Sequence, residues 1–200
     1  MRIVKRLGLV LVAAFAFSAM AVSCASAAPK FLAHPPKALI LAFADNTQVF
    51  KTKPGNVECT ALKLLSPGDV APALEASSIL VIVKYENCTA FGISATVHPV
   101  HFEIFANGLA RIARDVKILA ATGCEVTVPS ASNQSLWTVK FDNTSNNGIL
   151  LLANVTKITS SGVGGLFGLC AYGSENEGTY VGTTHVKLDG PANGVIRWDP

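Results

Sequence analysis

The chain has 200 residues, half of them hydrophobic and only 14% charged, with a formal net charge of +3. That apolar share excludes a disordered chain, and the length suits one domain with a real core. Arg2, Lys5 and Arg6 account for the whole excess: without them thirteen basic residues face thirteen acidic ones, all between Asp45 and Asp199. The charge is therefore no argument for nucleic acid or an anionic surface.

Arg2, Lys5 and Arg6 precede an uncharged apolar run over residues 7–22, and Ser23-Cys24-Ala25-Ser26-Ala27-Ala28 follows it. Charged, apolar, then small is the order of an export signal. Ala25-Ser26-Ala27 meets the small-x-small rule, so residues 1–27 read as a signal peptide cleaved after Ala27. Two other readings stand beside it. An uncleaved anchor needs about 20 apolar residues to span a bilayer, and this run is shorter. Ala21-Val22-Ser23-Cys24 reads as a lipobox that would acylate Cys24, with Ala where Leu is usual. A membrane partner follows only from one of those two.

Residues 28–37 read as a Pro-containing linker, extended and mobile, and 38–200 as a single β-rich domain. Residues 39–50 begin an apolar run. In 70–78, Leu74 marks one or two helical turns. The continuous run 79–83 predicts a strand buried on both faces. Residues 95–105 alternate around Pro99, which predicts an edge strand or a bulge. Strands are also expected over 112–121 and 125–129. Residues 136–142 place Trp137, Val139 and Phe141 on one face. The cluster 143–148 is a turn whose Asn-Gly pair supplies positive φ, and 149–158 returns from it, the clearest hairpin in the chain. Strands over 179–188 and 195–198 close the fold around a turn at 189–194. Nine or ten short strands predict an antiparallel β-sandwich, with a β-barrel as the alternative. Glu58-Cys59-Thr60-Ala61-Leu62 and Asn87-Cys88-Thr89-Ala90-Phe91 share Cys-Thr-Ala, too short a match to mark a duplication.

Beyond the signal four cysteines remain, Cys59, Cys88, Cys124 and Cys170, an even set in an oxidising compartment. None forms a C-x-x-C pair or neighbours a histidine at zinc-ligand spacing. Two disulfides are expected. Of three connectivities, Cys59–Cys88 with Cys124–Cys170 is the simplest for neighbouring hairpins.

No catalytic, cofactor or metal residue is assigned, and no cofactor is expected. His98-Pro99-Val100-His101 with Glu103 comes nearest to a metal constellation. In a regular strand His98 and His101 point to opposite faces, so only His101 and Glu103 share one, with His185 able to join across a sheet. The Gly-rich stretch 160–170 lacks the Gly-Lys-Ser/Thr ending of a phosphate loop. It would cover one end of the core under Cys170, or present Val163, Leu166, Phe167 and Leu169 to a partner. Ser94 sits in Gly92-Ile93-Ser94-Ala95-Thr96, one glycine short of a nucleophile elbow. Arg111, Arg114 and Lys117 surround Asp115 and read as a solvated edge. Asn87, Asn133, Asn143 and Asn154 begin Asn-x-Ser/Thr triplets, which composition alone accounts for.

Tyr85-Glu86-Asn87-Cys88-Thr89-Ala90-Phe91-Gly92, then Ala95-Thr96-Val97 and Gly123-Cys124-Glu125-Val126-Thr127-Val128-Pro129, resemble a pattern in predicted secreted β-rich proteins of actinobacteria. Asn154-Val155-Thr156 and Glu177-Gly178-Thr179-Tyr180-Val181-Gly182 continue it, so the likeness covers roughly residues 80–190. The resemblance implies export and a β fold, and it brings no activity. Such relatives carry a further cysteine pair between the segments matching Cys88 and Cys124. This chain has Phe102 and apolar neighbours there, which implies that packing holds that region. The function expected is an exported or cell-surface, non-enzymatic β domain with a structural or binding role and a cell-envelope or protein partner. The alternative is an extracellular hydrolase with scattered site residues, which would need a deep cleft with converging polar groups.

Overall fold

The computed structural model describes residues 27–36, 38–65, 75–130, 136–165, 168, 170–189 and 194–200. Residues 1–26, which hold Cys24 and all but the last residue of the expected export signal, residues 70–74, Asn133, Leu166, Phe167, Leu169 and residues 190–193 of the expected turn lie outside the described residues. The rest is strand: β1 (Lys30–His34), β2 (Ile40–Ala44), β3 (Gln48–Thr52), β4 (Gly55–Leu64), β5 (Glu75–Ala76), β6 (Ser78–Ala90), β7 (Ile93–Val97) and β8 (Val100–Phe105). There follow β9 (Leu109–Ile112), β10 (Val116–Ala120), β11 (Cys124–Val128), β12 (Trp137–Asn143), β13 (Ile149–Gly164), β14 (Tyr172–Leu188) and β15 (Val195–Asp199).

Several of these are halves of longer strands. β7 and β8 pair with β6 in one continuous register, from Cys88↔Ala95 through Val83↔Val100 to Ser78↔Phe105. The break between them falls at His98-Pro99, where proline has no N–H for a ladder. Pro99 thus interrupts an internal strand without shifting its register against β6, so the expected edge strand or bulge is not what the proline marks. In the same way β2 and β3 both lie along β14, β9 and β10 along β8 and β7, and β11 and β12 along β13.

Joined end to end, these segments make eight antiparallel strands: β2/β3, β4, β6, β7/β8, β9/β10, β11/β12, β13 and β14. Each pairs with its neighbour in sequence, and β14 pairs back onto β2/β3. The all-β expectation holds, and of the two closures considered the sheet takes the barrel. A sandwich needs connections that cross between sheets. Here every barrel strand forms its ladder with the barrel strand that follows it in sequence, and closing the ring leaves no long edge. The expected Asn-Gly hairpin joins β12 to β13, with Asn147 at φ 59° and Asn143 opposite Ile149. Phe91 and Gly92, at φ 56° and 78°, turn β6 into β7, the two-residue geometry that matches strand twist.

Alternation sends Val81, Val83, Val97, Ile118, Val126 and Val139 inward, all buried, and Lys63, Lys84, Lys117 and Lys140 outward. The run 79–83 is therefore not buried on both faces, as the sequence suggested. Leu80 is 57% exposed, because nothing covers the outside of a barrel wall. Outward charges pair across strands: Arg111 with Glu103, Lys117 with Glu125 at 2.7 Å, and Lys63 with Glu86 at 2.6 Å. Such exposed pairs contribute at most about 1 kcal/mol each.

Residues 30–34, read from sequence as linker, form β1 instead. β15, β1 and β5 make a three-stranded sheet that caps one end of the barrel. Phe31 and Ile196 are its fully buried residues. Phe31 meets Phe141 edge-on at 5.3 Å, Phe141 meets Trp198 at 5.5 Å, and the Trp198 indole N–H donates to the Ala106 carbonyl at 2.7 Å. Asn143 pins the last strand, donating to the Trp198 carbonyl and accepting from its N–H at 2.7 and 2.8 Å.

Both expected disulfides form. Cys59–Cys88 joins directly opposite positions of β4 and β6, which brings the two Cys-Thr-Ala segments side by side in antiparallel. Cys124–Cys170 ties the start of β11 to the β13–β14 connection at the end away from the cap. Two structural disulfides belong to an oxidising, non-cytoplasmic environment. With loop separations of 29 and 46 residues, removing either pair by double Cys→Ala replacement should cost about 2–4 kcal/mol. Urea unfolding of the two variants measures this, and peptide mapping without reduction should recover these two links. A Cys59–Cys124 peptide would contradict the fold.

Candidate functional site

Inside the barrel the apolar side chains do not fill all the space. A chamber of about 70 Å³ lies under the cap, walled by residues such as Phe31, Leu62, Val81, Phe141 and Ala153. A second, of about 60 Å³, lies beyond it, walled by residues such as Phe50, Val57, Val97, Ile118 and Val128. Tyr85, Phe102, Trp137 and Tyr180 line both. They form an aromatic belt across the barrel that divides the lumen.

Each belt residue stands close to an interruption in its strand. Tyr85 precedes Asn87, which sits at φ 52°. Phe102 follows the break at Pro99, and Trp137 opens β12 after the 129–136 connection. Interruptions of this kind re-aim side chains and let a wall bend. The rings pack loosely: Trp137 stacks on Tyr180 at 6.4 Å and 24°, and Phe102 tilts at 57° against Trp137 at 6.1 Å. Phe102 lies on strand β8, which is laddered to β6 and β9, and it contributes a ring to the belt.

A hydrogen-bonded chain runs through the belt. The Tyr85 and Tyr180 hydroxyls are 3.0 Å apart, and Tyr180 Oη donates to Gln48 Oε1 at 2.6 Å. Gln48 is 2% exposed. Its Nε2 donates to the carbonyls of Asn46 and Thr183 at 2.9 and 3.0 Å, so its amide is fully used. The chain needs a glycine beside it: a Cβ on Gly182 would fall 1.9 Å from Gln48 Oε1. Only a residue without a side chain lets β14 pass so close. Tyr85 and Tyr180 retain some surface, but it faces the cavities they line. Desolvation there pushes the Tyr180 phenol up to about 12. Burial first, then the neighbouring Tyr180, holds Tyr85 well above its ordinary range. Burial also raises Tyr172, at the far end, whose hydroxyl is 3.1 Å from Ser160 Oγ.

The residues weighed from sequence do not converge. His101 and Glu103 share β8, and Glu103 is engaged by Arg111. His98 is exposed at the Pro99 break. His185 lies on β14, four strands away around the ring, against the Phe43 ring at 4.9 Å and Thr144 Oγ1 at 3.3 Å. No group of three metal-ligating side chains occurs among the described residues. Ser94 is exposed on β7. Of the basic cluster, Arg111 pairs with Glu103 and Lys117 with Glu125, while Asp115 accepts from the Ser130 N–H at 2.7 Å. Val163 is 62% exposed, so it does not cover the core end, whereas Cys170 is buried there. No helix among the described residues is long and apolar enough to cross a membrane. The outer wall carries lysines and glutamates together with exposed Leu41, Phe43, Leu80, Ile93 and Val181.

Sequence reasoning passed over the belt. A signal was present: Tyr85 continues the inward alternation of Ile79, Val81 and Val83, and Gly178 and Gly182 flank Tyr180 on its own face, leaving room for its ring. Comparison with protein-family models, with curated proteins and with solved structures returned no match.

The tyrosines give the site a pH signature. All three are raised above the ordinary 10.0 in the folded chain. Unfolding therefore releases protons at alkaline pH, so stability is intact below pH 10 and falls as pH climbs toward 12. A spectrophotometric titration should show each tyrosine less than half ionised at pH 10, with tyrosinate appearing as the chain unfolds. Half-ionisation of Tyr85 and Tyr180 at pH 10 in the folded protein would contradict the buried chain.

Proposed function

We propose that this protein is an exported, non-enzymatic binding protein that holds a small apolar molecule inside its barrel. The observation that carries the reading is the lumen itself: two apolar chambers in line along a closed barrel, capped at one end, with the Gln48–Tyr180–Tyr85 chain that crosses it already hydrogen-bonded. An eight-stranded barrel is either just filled by its side chains or holds one small ligand. Together the chambers approach the ~150 Å³ of an apolar cavity that stays dry and admits benzene. The ligand class is accordingly a short, unbranched hydrocarbon chain, since a wide ring system would not pass the belt.

The seam beside the cap is the weakest part of the wall, since β2 and β4 pack side by side there without a ladder among the described residues. β2 forms its ladder with β14. Ala42 on one side and Leu62 and Leu64 on the other line the cap-side chamber. The signal-like first 27 residues and the two disulfides support export to the cell exterior. An acylated Cys24 would hold the same barrel at the membrane surface.

The test is calorimetry with short aliphatic compounds on the mature chain, whose mass should correspond to a start at Ala28. One molecule per chain should bind with a negative heat-capacity change. Ala153→Leu, which fills the cap-side chamber, should weaken binding about tenfold or more, while Leu80→Ser on the outer wall should leave it unchanged. No binding at any chain length, or full affinity in the Ala153→Leu protein, would overturn the reading.

A further inference from the structure

The belt has a direction. Both hydrogens of the Gln48 amide are taken by the Asn46 and Thr183 carbonyls, so the group facing Tyr180 is the acceptor Oε1. Tyr180 spends its one hydroxyl proton on that oxygen. The contact between the two phenols at 3.0 Å can then be made only if Tyr85 donates. Protons thus run one way, from Tyr85 to Tyr180 to Gln48 and on to backbone carbonyls of Asn46 and Thr183. Each phenol has one proton and two lone pairs. Once the chain is formed, Tyr85 Oη has lone pairs and nothing left to donate.

We infer that the lumen, whose two chambers Tyr85 lines alike, selects an apolar chain ending in a proton donor, an aliphatic alcohol, over an alkane, ketone or ether of the same size. The cap-side chamber is the one with a further hydroxyl. The inference rests on the apolar-ligand reading and specifies its head group. An alcohol hydroxyl can give its proton to Tyr85 Oη. A ketone or ether would bring a second acceptor against one already facing it, leaving a polar atom buried without a partner. Thr184 is that further hydroxyl on the cap-side chamber, but its proton rotates freely to offer either sense, so it does not set a preference.

The experiment compares hexanol, hexane and methyl butyl ketone by competition calorimetry on the full mature chain. Hexanol should bind at least about fivefold more tightly than either, the scale of one net hydrogen bond. Tyr180→Phe is the decisive variant. Without the Tyr180 oxygen, Tyr85 keeps a free proton to donate, so the ranking should invert and the ketone should overtake the alkane and match or exceed hexanol. Thr184→Val should keep the original order. Melting of each variant checks that it is folded. If Tyr180→Phe fails to fold, Tyr85→Phe serves instead: it removes the accepting oxygen while Tyr180 stays bonded to Gln48, so hexanol should lose its advantage over hexane, and a kept advantage would overturn the inference. Equal affinity for hexanol and hexane in the natural sequence would overturn the directional chain while leaving apolar binding intact. An unchanged ranking in a folded Tyr180→Phe protein would overturn it as well. Failure of all three compounds to bind would overturn the apolar-ligand reading together with it.

Discussion

A polar chain buried in an apolar tube is the constraint around which this structure is arranged. Gln48, Tyr180 and Tyr85 come from β3, β14 and β6, and Trp137 packs on Tyr180 from β12. The net gain of each hydrogen bond is about 1 kcal/mol, but a buried amide left unpaired costs about 1–3 kcal/mol. The chain therefore does little to drive folding and much to fix which arrangement forms. Sliding β14 by one residue would turn Tyr180 outward and strand Gln48. The driving term is the burial of inward valines, isoleucines and leucines, each contributing roughly 1.5–3 kcal/mol.

The ends of the barrel are closed by different means, and composition explains both. On the cap side the chain has aromatic residues: Phe31, Phe141 and Trp198 form a continuous contact, and Trp198 is anchored through its indole. At the far end glycines are dense. There Gly162 passes under Tyr172 so closely that a Cβ would come within 2.3 Å of the ring. Glycines carry no side chain to bury, and the Cys124–Cys170 link supplies the restraint instead. Between these ends the outer surface mixes cross-strand ion pairs with exposed Leu41, Phe43, Leu80, Ile93 and Val181.

Much of this was legible in the sequence. The inward face of β12 was read correctly from Trp137, Val139 and Phe141, because strict alternation has one interpretation. The Asn147-Gly148 turn was legible for a similar reason, since few residue pairs accept positive φ. The disulfide pairing followed from hairpin neighbours lying side by side. What escaped was closure: local patterns give strands and turns, but whether the last strand returns to the first depends on the summed twist and stagger of the whole sheet. The β-branched run 79–83 misled for the opposite reason, since a one-sided barrel wall can carry Leu80 outward without the polar residue that would have marked it. The belt was hidden because its members lie far apart in sequence. Gln48, Tyr85 and Tyr180 read singly as ordinary strand residues, and the tract 28–37 gave no hint that Phe31 caps the lumen.

The central claim is that two dry apolar chambers lie on either side of a hydrogen-bonded aromatic belt. A crystal structure of the mature protein under xenon pressure tests it most directly, because xenon enters apolar cavities and avoids hydrated ones. Xenon should appear on both sides of Tyr85 and Tyr180, with Tyr180 Oη still bonded to Gln48. Ordered water filling the lumen, or side chains packed through it with no xenon bound, would contradict it.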